Sequence, residues 1–263
     1  MCKIFLAVLS LALFASLDGG AAMLVAARAS FAIAHARRWQ NPYVIDGLVA
    51  MWDGEWNAGP GLHDANAAAW RDLVGSRDLV KHGNFIFVGW TEKSAIVPVL
   101  SSNYVSLVAS GGLSTATLTV EICHGMFVGN NSGLVVFGAA NESSTACGLA
   151  YRYASNANTV YASGTSAQTS LGAYYTSPTS MAFCKSGSTI NCYAKGLLKN
   201  TYTVSFSSRD SVTNIYLLSN NRTSDFARTR PSGPIYCVRI YSRALTADEI
   251  AANYAIDKAR FGL

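Results

Sequence analysis

YCVRIYSRALTADEIAANYAIDKARFGL, Tyr236–Leu263, closes the chain. It joins an alternating, strand-like run (YCVRIY) to a charged turn and then to a helix that carries its own start and stop signals. Thr246 is placed as an N-cap with Glu249 three residues later, the pattern of a capping box, and Leu245 and Ile250 have the spacing of a hydrophobic staple. Asp248 and Glu249 fall in the first turn and Lys258 and Arg260 near the last, as the helix dipole favours. Gly262 suits the C′ position. Ile250, Tyr254 and Phe261 are expected on one apolar face. A helix specified this locally needs a surface to dock on, and the nearest is the sheet to which the preceding strand belongs.

The chain upstream is rich in short β-like runs. GLVAMW (Gly47–Trp52), FIFVGW (Phe85–Trp90), YVSLVAS (Tyr104–Ser110), ATLTVEICHGMFV (Ala116–Val128) and GLVVFGAA (Gly133–Ala140) are followed by CGLAYRYAS (Cys147–Ser155) and NTVYAS (Asn158–Ser163), spaced as a hairpin. SMAFCKSGSTINCYAKGLLKN (Ser180–Asn200) reads as strand, tight turn at Ser186-Gly187-Ser188, strand and a second turn at Lys195-Gly196. TNIYLLSNN (Thr213–Asn221) and PIYCVRIYS (Pro234–Ser242) complete the set. Strands about 8–12 residues apart with Gly, Ser and Asn turns argue for a sandwich or barrel. The absence of βαβ alternation argues against a parallel sheet. RDLV occurs twice, at Arg71–Val74 and Arg77–Val80, but no period continues, so the echo is local.

VRIYSRALTADEIAANY (Val238–Tyr254) strongly resembles the C-terminal signature of LamG-like domains of the concanavalin A-like lectin/glucanase superfamily, in which a last RIY strand, an Arg-Ala-Leu turn and a short helix close the domain. NCYAKGLLKN (Asn191–Asn200) is similar to that family's strand-turn segment, with Lys195 standing where Asn is usual. GLVAMWDG (Gly47–Gly54) with WRDLVGSRDL (Trp70–Leu79) resembles the opening strand and the segment after it. The resemblance spans roughly Tyr43 to Leu263. It implies an all-β fold: a jelly-roll sandwich of two antiparallel sheets with a short C-terminal helix.

Residues 43–263 are therefore read as one domain. Residues 1–22 read as a signal peptide, with the apolar core IFLAVLSLALFASL and small residues near Ala22. The competing reading makes Met23 the start of translation. Residues 23–42 read as an Ala-rich helical arm or linker. The leader is too short for a membrane span, so no stable span is expected after its removal. The net charge of +5 is scattered and only 13% of residues are charged, with no basic stripe bearing aromatics, so nucleic acid is not expected as a partner. Cys184 and Cys192 flank a hairpin tip and have two readings: a cross-strand disulfide, or buried thiols packing as small hydrophobes.

The chemistry expected is recognition. Glycan cleavage by the common route needs two carboxylates flanking the scissile bond, and the acids here are scattered or, like Asp248 and Glu249, explained by capping. No catalytic residue and no enzymatic activity are expected. Sugar binding draws on aromatic faces and hydrogen-bonding polar groups, and the candidates are Trp56, Asn57, Tyr174, Tyr175 and Arg228. Trp56 has a second reading, in which it and Trp70 plug the edge of the sandwich. The LamG-like resemblance implies calcium at the sandwich rim, for which Asp53 and Asp64 are the candidate ligands; turn formation is the other role open to them. The expected function is a non-catalytic module binding a glycan or a surface protein, secreted or at the cell surface. The alternative is a structural or assembly protein, such as a phage virion decoration or fibre component.

Overall fold

A computed structural model describes residues 40–82, 85–88, 95–98, 106–125, 132–138, 149–154, 157–162, 165–170, 178–203, 211–217 and 234–263. The chain divides into two compact units, and one of them, Asn41–Gly59 with His63–Leu263, holds the elements described below. Of the other, Met1–Gln40 with Pro60–Leu62, only Gln40 and Pro60–Leu62 are described. The leader read at 1–22 and all but residues 40–42 of the arm lie outside the described residues.

The strands run in chain order as β1 (Leu48–Asp53), β2 (Ala69–Trp70), β3 (Leu79–His82), β4 (Phe85–Val88), β5 (Ala95–Pro98), β6 (Ser106–Ser114), β7 (Thr117–His124) and β8 (Ser132–Gly138). They continue as β9 (Leu149–Ala154), β10 (Ala157–Ala162), β11 (Thr165–Ser170), β12 (Thr179–Ser186), β13 (Thr189–Ala194), β14 (Leu197–Thr203), β15 (Ser211–Leu217) and β16 (Ile235–Tyr241). The helix α1 (Ala247–Phe261) follows. The strand pairs are antiparallel and form two sheets, as the resemblance implied. The first has the order β14-β13-β12-β7-β16-β5-β4, with β1 also on β16; the second has the order β11-β10-β9-β8-β15-β6-β3-β2.

The core lies between the sheets. Trp52, Val120, Ile122, Phe183, Val238 and Ile240 of the first sheet meet Trp70, Leu79, Ala109, Ile215 and Leu217 of the second. The two core indoles Trp52 and Trp70 keep their polar ends satisfied, Trp52 Nε1 donating to the Arg77 carbonyl at 2.9 Å and Trp70 Nε1 to that of Asp53 at 2.8 Å.

Two local expectations change in detail. The β12–β13 loop is a two-residue turn, with Ser186 paired to Thr189 and Gly187 at φ 54°. That register sets Cys184 opposite Asn191 and Cys192 opposite Phe183. Cys192 faces the intersheet core and Cys184 the opposite side, so the two are buried thiols on different faces. On α1 the capping box, the left-handed Gly262 and the charged ends stand as read. The buried face, however, is Ile250, Asn253, Asp257 and Phe261. Tyr254 is only half-buried and lies over the β13–β14 turn, where a Cβ on Gly196 would come within 2.9 Å of its ring.

Candidate functional site

Strand alternation sends the side chains of β16 to opposite faces. Val238 and Ile240 enter the core; Cys237, Arg239 and Tyr241 face the helix side. On the neighbouring strand β7, the same register brings Glu121 opposite Arg239. The result is a dry charged seam under α1. Arg239 Nε donates to Glu121 Oε2 at 2.7 Å, while its two terminal nitrogens reach both oxygens of Asp257 at 2.9 and 2.7 Å. Arg239, Glu121 and Asp257 are each no more than 2% exposed.

Further hydrogen bonds extend the seam to its neighbours. Asp257 also accepts from the Tyr43 hydroxyl at 2.9 Å and from Ser180 Oγ at 2.7 Å. Asn253 Nδ2 donates to Glu121 and to the Tyr241 oxygen, and its Oδ1 accepts from the Val44 backbone. The Arg239 guanidinium lies 3.8 Å from the centre of the Tyr43 ring, a cation–π contact. Burial pushes the Glu121 carboxyl up, against the pull of Arg239. Burial likewise raises the Tyr43 hydroxyl well above its ordinary range, with Asp257 adding to the effect. A fork-shaped guanidinium matches two carboxylate oxygens at once, so this seam fixes where the helix sits on the sheet.

A second arginine of α1 organises the loop after β1. Arg260 reaches Asp53 at 2.8 and 3.2 Å, Glu55 at 3.2 Å and the Tyr43 oxygen at 2.9 Å, and stacks 5.1 Å from the Trp56 ring. Trp56 is 6% exposed and Asn57 fully buried. Asn57 and Asp64 bridge the loop reciprocally: Asn57 Nδ2 donates to the Asp64 carbonyl at 2.7 Å, and the Asp64 N–H to Asn57 Oδ1 at 2.9 Å.

The sequence-derived site residues thus have distinct places. Trp56 and Asn57 come together, but as internal bracing, with little surface for a ligand. Asp53 has both carboxylate oxygens committed to Arg260 and does not fit calcium, since a cation there would have to displace a guanidinium. Asp64 is exposed and closes its own turn by accepting from the Asn66 N–H at 2.8 Å. Among the described residues no three His, Cys, Asp or Glu side chains group to hold a metal ion. Tyr174, Tyr175 and Arg228 lie outside the described residues. Arg239, Glu121, Asn253 and Asp257 were missed as a group. The available signal was the alternation that puts Arg239 on the face opposite Val238 and Ile240, and the spacing of Asn253 and Asp257 from Ile250.

The architecture is an antiparallel β-sandwich closed by a C-terminal helix. No protein-family model matches the chain, and no curated protein does. Solved structures do. Trypanosoma rangeli sialidase matches with a TM-score of 0.61 at 14% identity, over 92% of this chain and 40% of the sialidase. The same sialidase in complex with sialic acid gives 0.60 at 15% identity, over 91% and 39%. A structure of botulinum neurotoxin type C, whose cell entry depends on interaction with two ganglioside molecules, gives 0.59 at 10% identity, over 80% and 51%. The chain therefore spans about 40% of the sialidase and half of the toxin chain. At these identities the likeness is one of fold.

The expectation that the chain is not an enzyme is corrected by these matches, because sialidases are prominent among them. That expectation rested on missing paired carboxylates. Sialidases are exceptions to the two-carboxylate scheme and use a tyrosine nucleophile, so the test was the wrong one for enzymes with which this fold is shared.

Proposed function

We propose that the chain is a carbohydrate-recognition module of LamG-like type, directed at an acidic glycan. The observation that supports it best is the sandwich shape held in common with a sialidase solved with sialic acid and with a neurotoxin that interacts with gangliosides. The LamG-like reading draws on the closing unit itself, an RIY strand whose Arg239 clamps the helix that follows. Sialic acid is a carboxylate at neutral pH, and an arginine meets a carboxylate through paired, charge-assisted hydrogen bonds. Arg228 is our candidate for that contact, and Tyr174 and Tyr175 for stacking on sugar faces.

The test is a glycan array probed with the full chain, carrying sialylated and neutral glycans, run with calcium and again with EDTA. A fluorogenic sialoside in parallel reads hydrolysis. Binding to sialylated glycans, weakened about tenfold or more in Arg228→Ala or Tyr175→Ala, is the expected result. Binding unchanged by either substitution would remove the assigned residues. No binding by chain with a native β spectrum would overturn the proposal in favour of an assembly role. The observation behind that second reading is the edge strand β14, which exposes Leu197 and Leu198.

A further inference from the structure

The register that joins Arg239 to Glu121 has a consequence one rung further along the same two strands. Cys237 of β16 is paired directly with Cys123 of β7. Pairing runs without interruption from Cys237–Cys123 through Arg239–Glu121 to Tyr241–Thr119, so alternate residues on this ladder share the face beneath α1. The Arg239–Glu121 contact of 2.7 Å shows that side chains opposed on this ladder meet. Directly opposed residues of an antiparallel pair have Cα atoms about 4.5–5.5 Å apart, inside the 4.4–6.8 Å range that a disulfide needs. Both thiols are fully buried, and burial raises the proton affinity of each, with Asp257 and Cys237 adding to the effect on Cys123. Cys184 and Cys192, on opposite faces of their hairpin, are no competitors.

We infer that Cys123 and Cys237 form a cross-strand disulfide when the chain folds in the presence of a disulfide oxidant. One S–S bond forms; the two thiols give up two protons and two electrons, and a glutathione disulfide accepts them and becomes two thiols. The bond forms during folding, because in the closed sandwich neither sulfur is open to attack. It would tie β7 to β16 beside the charged seam, on the two strands that carry the helix.

The full chain, denatured and reduced, is refolded in a glutathione redox buffer, alkylated in denaturant without reductant, and mapped by mass spectrometry. The expected product is a linked peptide pair holding Cys123 and Cys237, lighter by about 2 Da than the two thiol peptides and absent after reduction. Cys184 and Cys192 are alkylated. The oxidised form should unfold about 10 °C above the reduced one, a difference lost in the Cys123→Ser, Cys237→Ser double variant and kept in Cys184→Ser. Quantitative alkylation of Cys123 and Cys237 in refolded protein of native spectrum would overturn the inference, as would a linkage of either to Cys147. The peptide map uses the unaltered chain, so a variant that fails to fold does not remove the test.

Discussion

The two faces of the β7–β16 strand pair are equally dry and chemically opposite. Toward the second sheet they present Val120, Ile122, Val238 and Ile240, an aliphatic surface with no directional demands. Toward the helix they present Glu121, Arg239 and Tyr241, met by Asn253 and Asp257. The apolar face gains free energy by area, and many packings would serve it. The charged face is satisfied by one arrangement, since the Arg239 guanidinium, the Asn253 amide and the Tyr43 and Ser180 hydroxyls each have a named acceptor, and a shift of the helix by one residue would strand several of them. The comparison teaches a division of labour: the intersheet core supplies cohesion, and the seam specifies the seat of α1.

The seam is where the comparison breaks hardest. Arg239→Ala leaves Glu121 and Asp257 buried without their cation, and should cost about 3–5 kcal/mol. Ile122→Val, one methylene lost on the opposite face, should cost about 0.5–1.5 kcal/mol. Urea unfolding followed by circular dichroism gives both. If Arg239→Ala proved no worse than Ile122→Val, the seam would be shown to hold water in solution and the division of labour would fail.

Acid titration sharpens the same contrast through two glutamates. Glu249 sits at the exposed end of the helix, where Arg243 and the Thr246 cap hold its carboxyl down to about 2. Its folded value lies below its unfolded one, so its stabilisation is present above the unfolded value and is lost as pH falls from about 4.3 towards 2. Glu121 has the opposite sign. Burial raises its folded value, so its contribution is full below about pH 4.3 and is lost as pH rises through the folded value. Stability measured against pH should therefore fall less steeply on acidification in Glu249→Gln, and less steeply on the alkaline side of that point in Glu121→Gln. Thr246→Ala, which removes the cap itself, should cost about 1 kcal/mol at neutral pH. Equal pH profiles for the two glutamate variants would erase the distinction between the buried seam and the exposed helix cap.

The helix and most strands were legible because their signals are local. Caps, dipole charges and a terminal glycine lie within a few residues of one another, and alternation of branched residues marks β7, β8 and β16. The polar strand β11, TSAQTS, and the short β5, which ends on Pro98, carry little such signal and were not read. The seam was hidden for a different reason. Glu121 and Arg239 are 118 positions apart, and each alone looks like an ordinary surface charge; only strand register makes them a pair. Tyr254 was assigned to the buried face because an aromatic at helical spacing is expected there. The buried positions went instead to Asn253 and Asp257, because β7, β12 and β16 present Glu121, Ser180 and Arg239, which need polar partners. The loop residues Trp56 and Asn57 were read for their sugar-binding chemistry, and what the sequence could not indicate was that Arg260, at the far end of the chain, would pack over Trp56 and clamp the adjacent acids.

The smallest effect expected concerns the β13–β14 turn, where the chain departs from the resemblance that first suggested its fold. Ala194 pairs with Leu197 across the two residues Lys195 and Gly196, which have φ of 52° and 73°. A two-residue hairpin with both φ positive is the turn for which Asn-Gly is preferred, because its twist matches that of the strands and Asn tolerates the left-handed region. Lys195 is the one non-glycine residue with positive φ among the described residues. It holds that conformation because the flanking pairs of β13 and β14 and the Tyr254 ring over Gly196 leave the loop no longer path. Lys195→Asn should therefore stabilise the chain by about 0.5–1 kcal/mol, read as a higher urea midpoint with an unchanged slope. Gly196→Ala should act in the opposite direction, since the new methyl group would need both a positive φ and room that Tyr254 occupies. A loss of stability in Lys195→Asn would mean that the lysine side chain makes a contact worth more than the relief of its backbone. The turn would then count with the seam, as a place where a specific interaction overrides local preference.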